Sequence, residues 1–390
     1  MTEPENPWLA VPKIIIGHDI EERLVWRHAV EELRRGLILR CSKPLYENRG
    51  ALEGRMEQRA VGVEKLGAGC AFRYRRKDAG SARLRTRYPD YRLFSVTSEK
   101  IVHDASIDYE VVTVWRAVAA SIIATAHLAR LPPARITVLG AGRLAEKVIE
   151  GYCSYFTTLR DVTVWSRRPT QGEDLCARLR ACGRCARANI RYEAAMATAC
   201  RQAEVIVTTT SAEAPILAPT CVRPGAHVEL IGASRPGVRE ADVRLFRRSA
   251  LYVDDVESAL NDSGELSYPK TIGVISDRDI VGTIKDIVAP GFRRPKGETN
   301  TLFKHGGAPH LDLIMARYIY ARAVESEVFV SFQRYETSHE PFEPASEFPN
   351  PCGRVRAFVH DIRGTFEEVD REIAKLKASE ALRAGNCRRR

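Results

Sequence analysis

The stretch ITVLGAGRLAEKVIEGY, residues 136–152, sets four apolar-leaning residues before Gly140-Ala141-Gly142-Arg143-Leu144-Ala145. In the pattern Gly-x-Gly-x-x-Ala, the first glycine permits a tight strand-to-helix turn and the second lets the backbone approach a pyrophosphate. The small third residue allows close packing of helix on strand. Unpaired N–H groups and a partial positive charge at the helix N-terminus suit a phosphate. The chemistry implied is dinucleotide binding; the bland alternative is a bare corner. The end of the next strand pattern reads Trp165-Ser166-Arg167-Arg168-Pro169. NAD meets a carboxylate there, which takes the ribose hydroxyls. This chain offers two guanidiniums and a hydroxyl instead, a set suited to a 2′-phosphate. NADP(H) is the expected cofactor, with NAD(H) as the alternative.

A second centre is Arg116, set within the apolar run VVTVWRAVAASIIATAHLARLPP. Its planar fork can bind both oxygens of a carboxylate; the competing reading is an ion pair with a buried acid such as Asp108. Thr209, Thr210 and Ser211 follow one strand pattern, and Ser234 and Arg235 follow the next. Open parallel sheets bind ligands at such strand ends. The alternative is that these hydroxyls only cap helices. Cys176, Cys182 and Cys185 are the densest of ten cysteines, but no second Cys-x-x-Cys or spaced His pair supplies a fourth zinc ligand. Free thiols in a surface connection are expected there, and no metal.

The elements that must position these groups alternate regularly after the stop at Pro132-Pro133. Strands are expected at 136–139, 162–165, 205–209, 227–231 and 250–253, with helices at 143–157, 170–181 and 193–203. That alternation gives an α/β fold, a doubly wound Rossmann-type parallel sheet with helices on its faces. Upstream, residues 20–40 show helical spacing, with Leu24, Val25, Val30, Leu33 and Leu37 on the apolar side. Residues 45–108 read as irregular, with short strands in GCAFRY and YRLFSV. From about 331 the chain is Pro-rich, and Thr365-Phe-Glu-Glu368 fits a capping box that opens an amphipathic helix. The length of 390 residues allows two domains. The net charge of +10 comes from scattered arginines without a nucleic-acid-binding signature, so no nucleic-acid partner is expected. No window approaches eighteen consecutive apolar residues and the acidic opening MTEPENPWLAVPK lacks a signal pattern, so no membrane partner and a cytoplasmic location are expected.

From about residue 108 to 325 the chain resembles the ornithine cyclodeaminase/mu-crystallin family. The matching stretches are DYEVVTVWRAVAAS, ITVLGAGRLAEK, AEVIVTTTSAEAPIL, VRPGAHVELIGASRPGVRE, ALYVDDVESALNDSGEL and ETNTLFKHGGAPHLDLIMARYIY. GASRP is most similar to the ketimine reductase branch. The resemblance implies a dinucleotide domain (131–305) set into an α+β substrate-binding and dimerisation domain (1–130, returning at 306–330), with a tail at 331–390. It implies a homodimer and a small amino or imino acid as substrate.

By the same resemblance Arg116 holds the substrate carboxylate, and Arg40 in LILRCS matches a second, weaker arginine position. The candidate catalytic set is Arg116, Arg40, Asp108 and Ser234. The cofactor set is Gly140, Ala141, Gly142, Arg143, Leu144, Ser166, Arg167, Arg168, Thr209, Thr210, Ser211 and Ser234. Two positions depart from the family pattern. Cys70 stands near the place of a catalytic Lys, with Lys65 and Lys77 only neighbours, and Ser234 stands where cyclodeaminases use an Asp. Imine reduction requires less acid–base help than cyclodeamination. The expected activity is therefore NAD(P)H-dependent oxidoreduction at C=N or C–N bonds, of the imine or ketimine reductase or the opine or amino-acid dehydrogenase type. The alternatives are a non-catalytic binding protein of the same fold and a cyclodeaminase with relocated catalytic groups.

Overall fold

The computed structural model describes residues 12–38, the strands between 46 and 96 (with side chains at 91–95), and residues 101–331 apart from 234–236 and 262. The chain divides into two compact units, one of residues 1–20, 39–109 and 319–390 and one of residues 21–38 and 110–318.

In the first unit, the described residues between 46 and 108 are strands, not the irregular stretch expected. Strands β1 (Ile14–Ile16), β2 (Tyr46–Leu52), β3 (Met56–Val63), β4 (Gly67–Lys77), β5 (Leu84–Arg87), β6 (Asp90–Val96) and β7 (Ile101–Asp108) form one sheet. Its order is β16-β1-β7-β6-β4-β3-β2, with β5 beside β4 and β16 (Val330–Ser331) returning from the end of the described chain. Arginine-rich stretches such as FRYRRK in β4 hide the alternation that would mark a strand in the sequence.

The second unit holds an eight-stranded sheet in which every pairing is parallel. Its strands are β8 (Arg135–Leu139), β9 (Asp161–Trp165), β10 (Asn189–Tyr192), β11 (Val205–Thr208), β12 (His227–Leu230), β13 (Ser249–Val253), β14 (Ile280–Thr283) and β15 (Asn300–Lys304). The order is β10-β9-β8-β11-β12-β15-β13-β14. Strand order therefore reverses between β8 and β11, and the ligand crevice of such a sheet lies at that switch point, beyond the strands' carboxyl ends. The central strands are covered on both faces, which is why β11 and β12 are buried at every position.

Helices α1 (Trp26–Ile38), α2 (Tyr109–Leu128), α3 (Arg143–Tyr155), α4 (Pro169–Ala181), α5 (Met196–Cys200), α6 (Val256–Asn261), α7 (Gly264–Thr271), α8 (Ile284–Val288) and α9 (Pro309–Ser326) complete the fold. A 3₁₀ turn at His18–Arg23 precedes α1, so the single helix expected over 20–40 is two elements. Of its expected apolar side, Val25 is exposed.

The domain boundary expected at 130/131 lies elsewhere, because α1 and most of α2 belong with the nucleotide sheet. Trp26 of α1 stacks on Trp115 of α2 at 3.7 Å. The Tyr152 hydroxyl of α3 exchanges hydrogen bonds with Ser121 (2.8 Å) and Thr125 (2.7 Å) of α2. By length and composition α2 would suffice to cross a membrane, which the count of uninterrupted apolar residues does not reveal; 83% of that stretch is buried inside the protein. Its hydropathy is that of a core helix.

Candidate active site

The glycine corner is built as its sequence requires. The Gly140 N–H donates to the Trp165 carbonyl (2.8 Å), and its φ of +131° is a conformation that side chains resist. A Cβ at Gly140 would collide with the Thr209 hydroxyl, which itself donates to the Leu139 carbonyl (3.1 Å). The turn is thus pressed against the loop after β11, across the switch point. Two residues on, Gly142 is the N-cap of α3 and carries no side-chain cap. A Cβ there would meet nothing within 4 Å. Glu146 N–H is the first to bond inside the helix, to Gly142 (3.1 Å), so the N–H groups of Arg143, Leu144 and Ala145 face the end of the helix. An open space over a glycine, with backbone donors around it, fits the pyrophosphate of a dinucleotide.

The side chains around this corner are more committed than their types suggest. Arg143 bonds Glu21 (2.9 Å) and Glu110 (3.3 Å), so its contribution to a phosphate is its backbone N–H. The Ser166 hydroxyl is buried and donates to the Arg168 carbonyl (2.7 Å). Its proton is therefore committed, and the expected hydroxyl-plus-guanidinium set reduces to Arg167 and Arg168. Both are exposed, and among the described residues neither has an ion-pair partner.

Arg116 is buried on α2, and its Nε donates to Asp312 of α9 at 2.9 Å. The buried acid beside it is Asp312, not Asp108, which pairs with His18 (3.0 Å) in the first unit. Asp312 stands in the first turn of α9. The chain enters that helix through Gly306, Gly307 and Ala308, whose N–H groups all bond the buried Asp254 carboxylate (2.6, 2.9 and 3.3 Å). Burial pushes the Asp254 carboxyl up. The charges of His305 and Arg116 and these N–H groups outweigh it and hold the carboxyl below its ordinary value.

Beyond β11 and β12, one carboxylate joins the two loops that should face a nicotinamide. Glu240 accepts from the Thr208 hydroxyl (2.6 Å), the Thr210 N–H (2.6 Å) and hydroxyl (2.8 Å), and the Gly232 (2.8 Å) and Ala233 (3.2 Å) N–H groups. The hydroxyls of Thr209 and Thr210 therefore hold loops together and do not cap helices; Ser211 is the exposed member of the three. Glu265 in turn accepts from the Glu240 and Ala241 N–H groups (2.7 and 2.8 Å). Burial raises its carboxyl to about 7, against the pull of Lys304 and with Glu240 adding to the rise. Lys304 donates to the Leu230 and Ala233 carbonyls (3.2 and 2.7 Å).

On the α2 side of the sheet Glu229 bridges His227 (2.7 Å) and His305 (2.6 Å) and also accepts from Thr125 (3.3 Å). Its carboxyl stays below its ordinary value, because hydrogen bonds from the two histidines outweigh complete burial.

Glu229, Glu240, Asp254, Glu265, Lys304, His305 and Asp312 are all absent from the sequence-based candidate set. The available signal was a charge lodged inside an apolar strand, as in HVEL and TLFKH. Arg40 and Ser234 lie outside the described residues, as do the side chains at 65, 70 and 77 and the tail helix at 365. Cys176 and Cys185 are buried and not surface thiols, and only Cys182 of that group is exposed.

A carboxyl-edge crevice with a glycine corner defines a dinucleotide-binding protein of the Rossmann class. The family model described as the ornithine cyclodeaminase/mu-crystallin family matches residues 99–327. The Delta(1)-pyrroline-2-carboxylate reductase of Paracoccus denitrificans is 34% identical over 312 residues, spanning 80% of this chain and 96% of that protein. The ketimine reductase mu-crystallin of Mus musculus is 33% identical over 218 residues, 55% of this chain and 64% of that protein. The structure of Thermococcus litoralis Delta(1)-pyrroline-2-carboxylate reductase with NADH and L-proline is similar in fold, with a TM-score of 0.71 and 21% identity over 82% of this chain and 99% of that one. The chain belongs to the ornithine cyclodeaminase/mu-crystallin family.

Two outcomes follow from the geometry. Gly142→Ala should leave the thermal midpoint nearly unchanged while weakening binding of the reduced nicotinamide dinucleotide about tenfold or more, since 1.4 kcal/mol of crowding suffices. A fluorescence titration reads this, and equal affinity would mean that the pyrophosphate rests elsewhere. His310, buried in the first turn of α9 with no partner for Nε2 among the described residues, is pulled by burial from 6.5 to about 4, with Lys285 adding to the fall. The unfolded chain takes that proton first, so stability should fall as pH drops from 6.5 towards 4. His310→Leu should flatten the melting-temperature profile in that window; an unchanged slope would contradict the assignment.

Proposed function

We propose that this family member is an NADPH-dependent reductase of α-imino acids, with cyclic imino acids such as Δ1-pyrroline-2-carboxylate as the first substrates to test. The observation that carries the reading is Arg116, a guanidinium buried in an apolar helix and fixed in plane by Asp312. Buried arginines of this kind recognise planar carboxylates by a two-point fork. The similarity to imine-reducing relatives supports the reaction class, and the family resemblance supports a homodimer as the working form. The missing carboxylate at the end of β9 and the exposed Arg167 and Arg168 support NADPH over NADH.

A bound reduced nicotinamide supplies a hydride to the C=N carbon. The chain's own residues do the rest. The backbone donors after Gly142 and the two arginines hold the nucleotide, while Glu240 fixes the spacing of the loops after β11 and β12. Arg116 binds the carboxylate and so orients the carbon to be reduced.

Charge-assisted hydrogen bonds contribute about 1.5–3 kcal/mol each. The double variant Arg167→Ala/Arg168→Ala should therefore weaken NADPH binding about tenfold or more and leave NADH binding unchanged. Equal losses for both nucleotides would remove these arginines from the 2′-phosphate. Arg116→Lys keeps the charge beside Asp312 but loses the planar fork. It should raise the KM for the imino acid about tenfold or more, the equivalent of one such hydrogen bond, with NADPH affinity intact. A loss confined to NADPH binding would contradict the substrate role.

A further inference from the structure

The imine nitrogen needs a proton. His305 follows β15 directly, at the carboxyl edge of the sheet and next to the end of β12. Its backbone N–H bonds the Leu230 carbonyl at the end of β12 (3.1 Å). Its ring is almost wholly buried, and Nε2 lies 2.6 Å from the Glu229 carboxylate. Nδ1 is buried and has no hydrogen-bond partner among the described residues.

An orphaned buried ring nitrogen is costly and calls for a reason. Here the opposite nitrogen is held by a carboxylate, the arrangement that fixes a histidine's tautomer and ring orientation. Glu229 is itself braced by His227, which bonds Thr301 (2.9 Å), and by Thr125, so the dyad cannot swing away. From His305 the chain runs on through Gly306, Gly307 and Ala308, all held by Asp254, into α9, whose Asp312 bonds the Arg116 guanidinium.

We propose that His305, oriented by Glu229, is the catalytic acid that protonates the substrate nitrogen through Nδ1. The proposal rests on the imine-reductase reading. In the reducing direction the C=N π pair moves onto nitrogen as the carbon accepts the hydride. The nitrogen takes the Nδ1 proton, and His305 is left neutral with its Nε2–H on Glu229. In the reverse direction Nδ1 takes the proton back from the amine. Glu229 does not touch the substrate and is a positioning residue.

The test uses the full-length protein and two readouts. The first is binding of pyrrole-2-carboxylate, a planar ring whose N–H can donate to the unprotonated Nδ1 as the product amine does, to the NADPH complex. The imidazole ¹⁵N resonances are followed by NMR. Wild-type protein should show a shift at His305 Nδ1 on binding. His305→Gln, whose amide can still reach Glu229, should bind the analogue more weakly and NADPH as before.

The second readout is single-turnover reduction of Δ1-pyrroline-2-carboxylate. Positioned acids supply about 10²–10⁴-fold. His305→Gln should lose a factor in that range, and His305→Ala should regain part of it with free imidazole in solution. Turnover within a few-fold of wild type in His305→Gln, or no Nδ1 shift on analogue binding, would overturn the role of His305 and leave the reductase reading standing. Failure of the wild-type protein both to bind the analogue and to reduce any cyclic imino acid would overturn both.

Discussion

Buried charge is the constraint around which this fold is arranged. Glu229, Glu240, Asp254, Glu265 and Asp312 are all nearly or wholly inaccessible to water. A buried carboxylate without compensation costs several kcal/mol, so each must be met by donors in fixed places. The chain meets them with backbone N–H groups from loops and with a few buried cations. Loops that would otherwise be free are thereby tied to the strand ends. Glu240 binds the loops after β11 and β12 to one another, and Asp254 fixes the entry to α9. Breaking one such partner would leave a charge stranded, and so the loops hold their shape before any ligand arrives.

The site follows from that arrangement together with the sheet. The reversal of strand order between β8 and β11 opens the crevice, and the strain at Gly140 lets the chain turn hard against Thr209 beneath it. α2 brings Arg116 to Asp312 of α9, close enough to Asp254 for the charges to interact. The N–H groups after Gly142, the Arg116–Asp312 pair and the Glu229–His305 dyad belong to the same compact unit. Each is positioned by elements that pack on the same parallel sheet. Pre-organised donors of this kind need little rearrangement at the moment of reaction.

Much of the nucleotide sheet was legible because parallel strands buried on both faces read as short apolar runs. The expected strands at β8, β9, β11, β12 and β13 agree with the structure to within a residue at each end, and the glycine turn sits where its spacing places it. Three strands were not foreseen. β10 (NIRY) is a polar edge, β14 is exposed in part, and β15 opens with Asn300 and ends in Lys304, with His305 next, which breaks the apolar signal. Missing β15 meant missing Lys304 and His305 as strand-end residues. The buried carboxylates were illegible for a related reason. Sequence assigns Glu and Asp to the surface, and only tertiary structure shows which of them are surrounded by N–H donors. Arg116 stood out because a charge within an apolar helix needs a partner, but its partner lies 196 positions away and no local pattern could name it.

The central claim is hydride delivery to a C=N carbon held by Arg116. The most direct measurement incubates the protein with NADPH deuterated at the transferable C4 position and Δ1-pyrroline-2-carboxylate, then locates deuterium in the product by NMR and mass spectrometry. The account predicts proline carrying one deuterium at Cα, formed in step with NADPH oxidation. Nucleotide oxidation without deuterium at Cα, or no product from any cyclic imino acid despite NADPH binding, would contradict it.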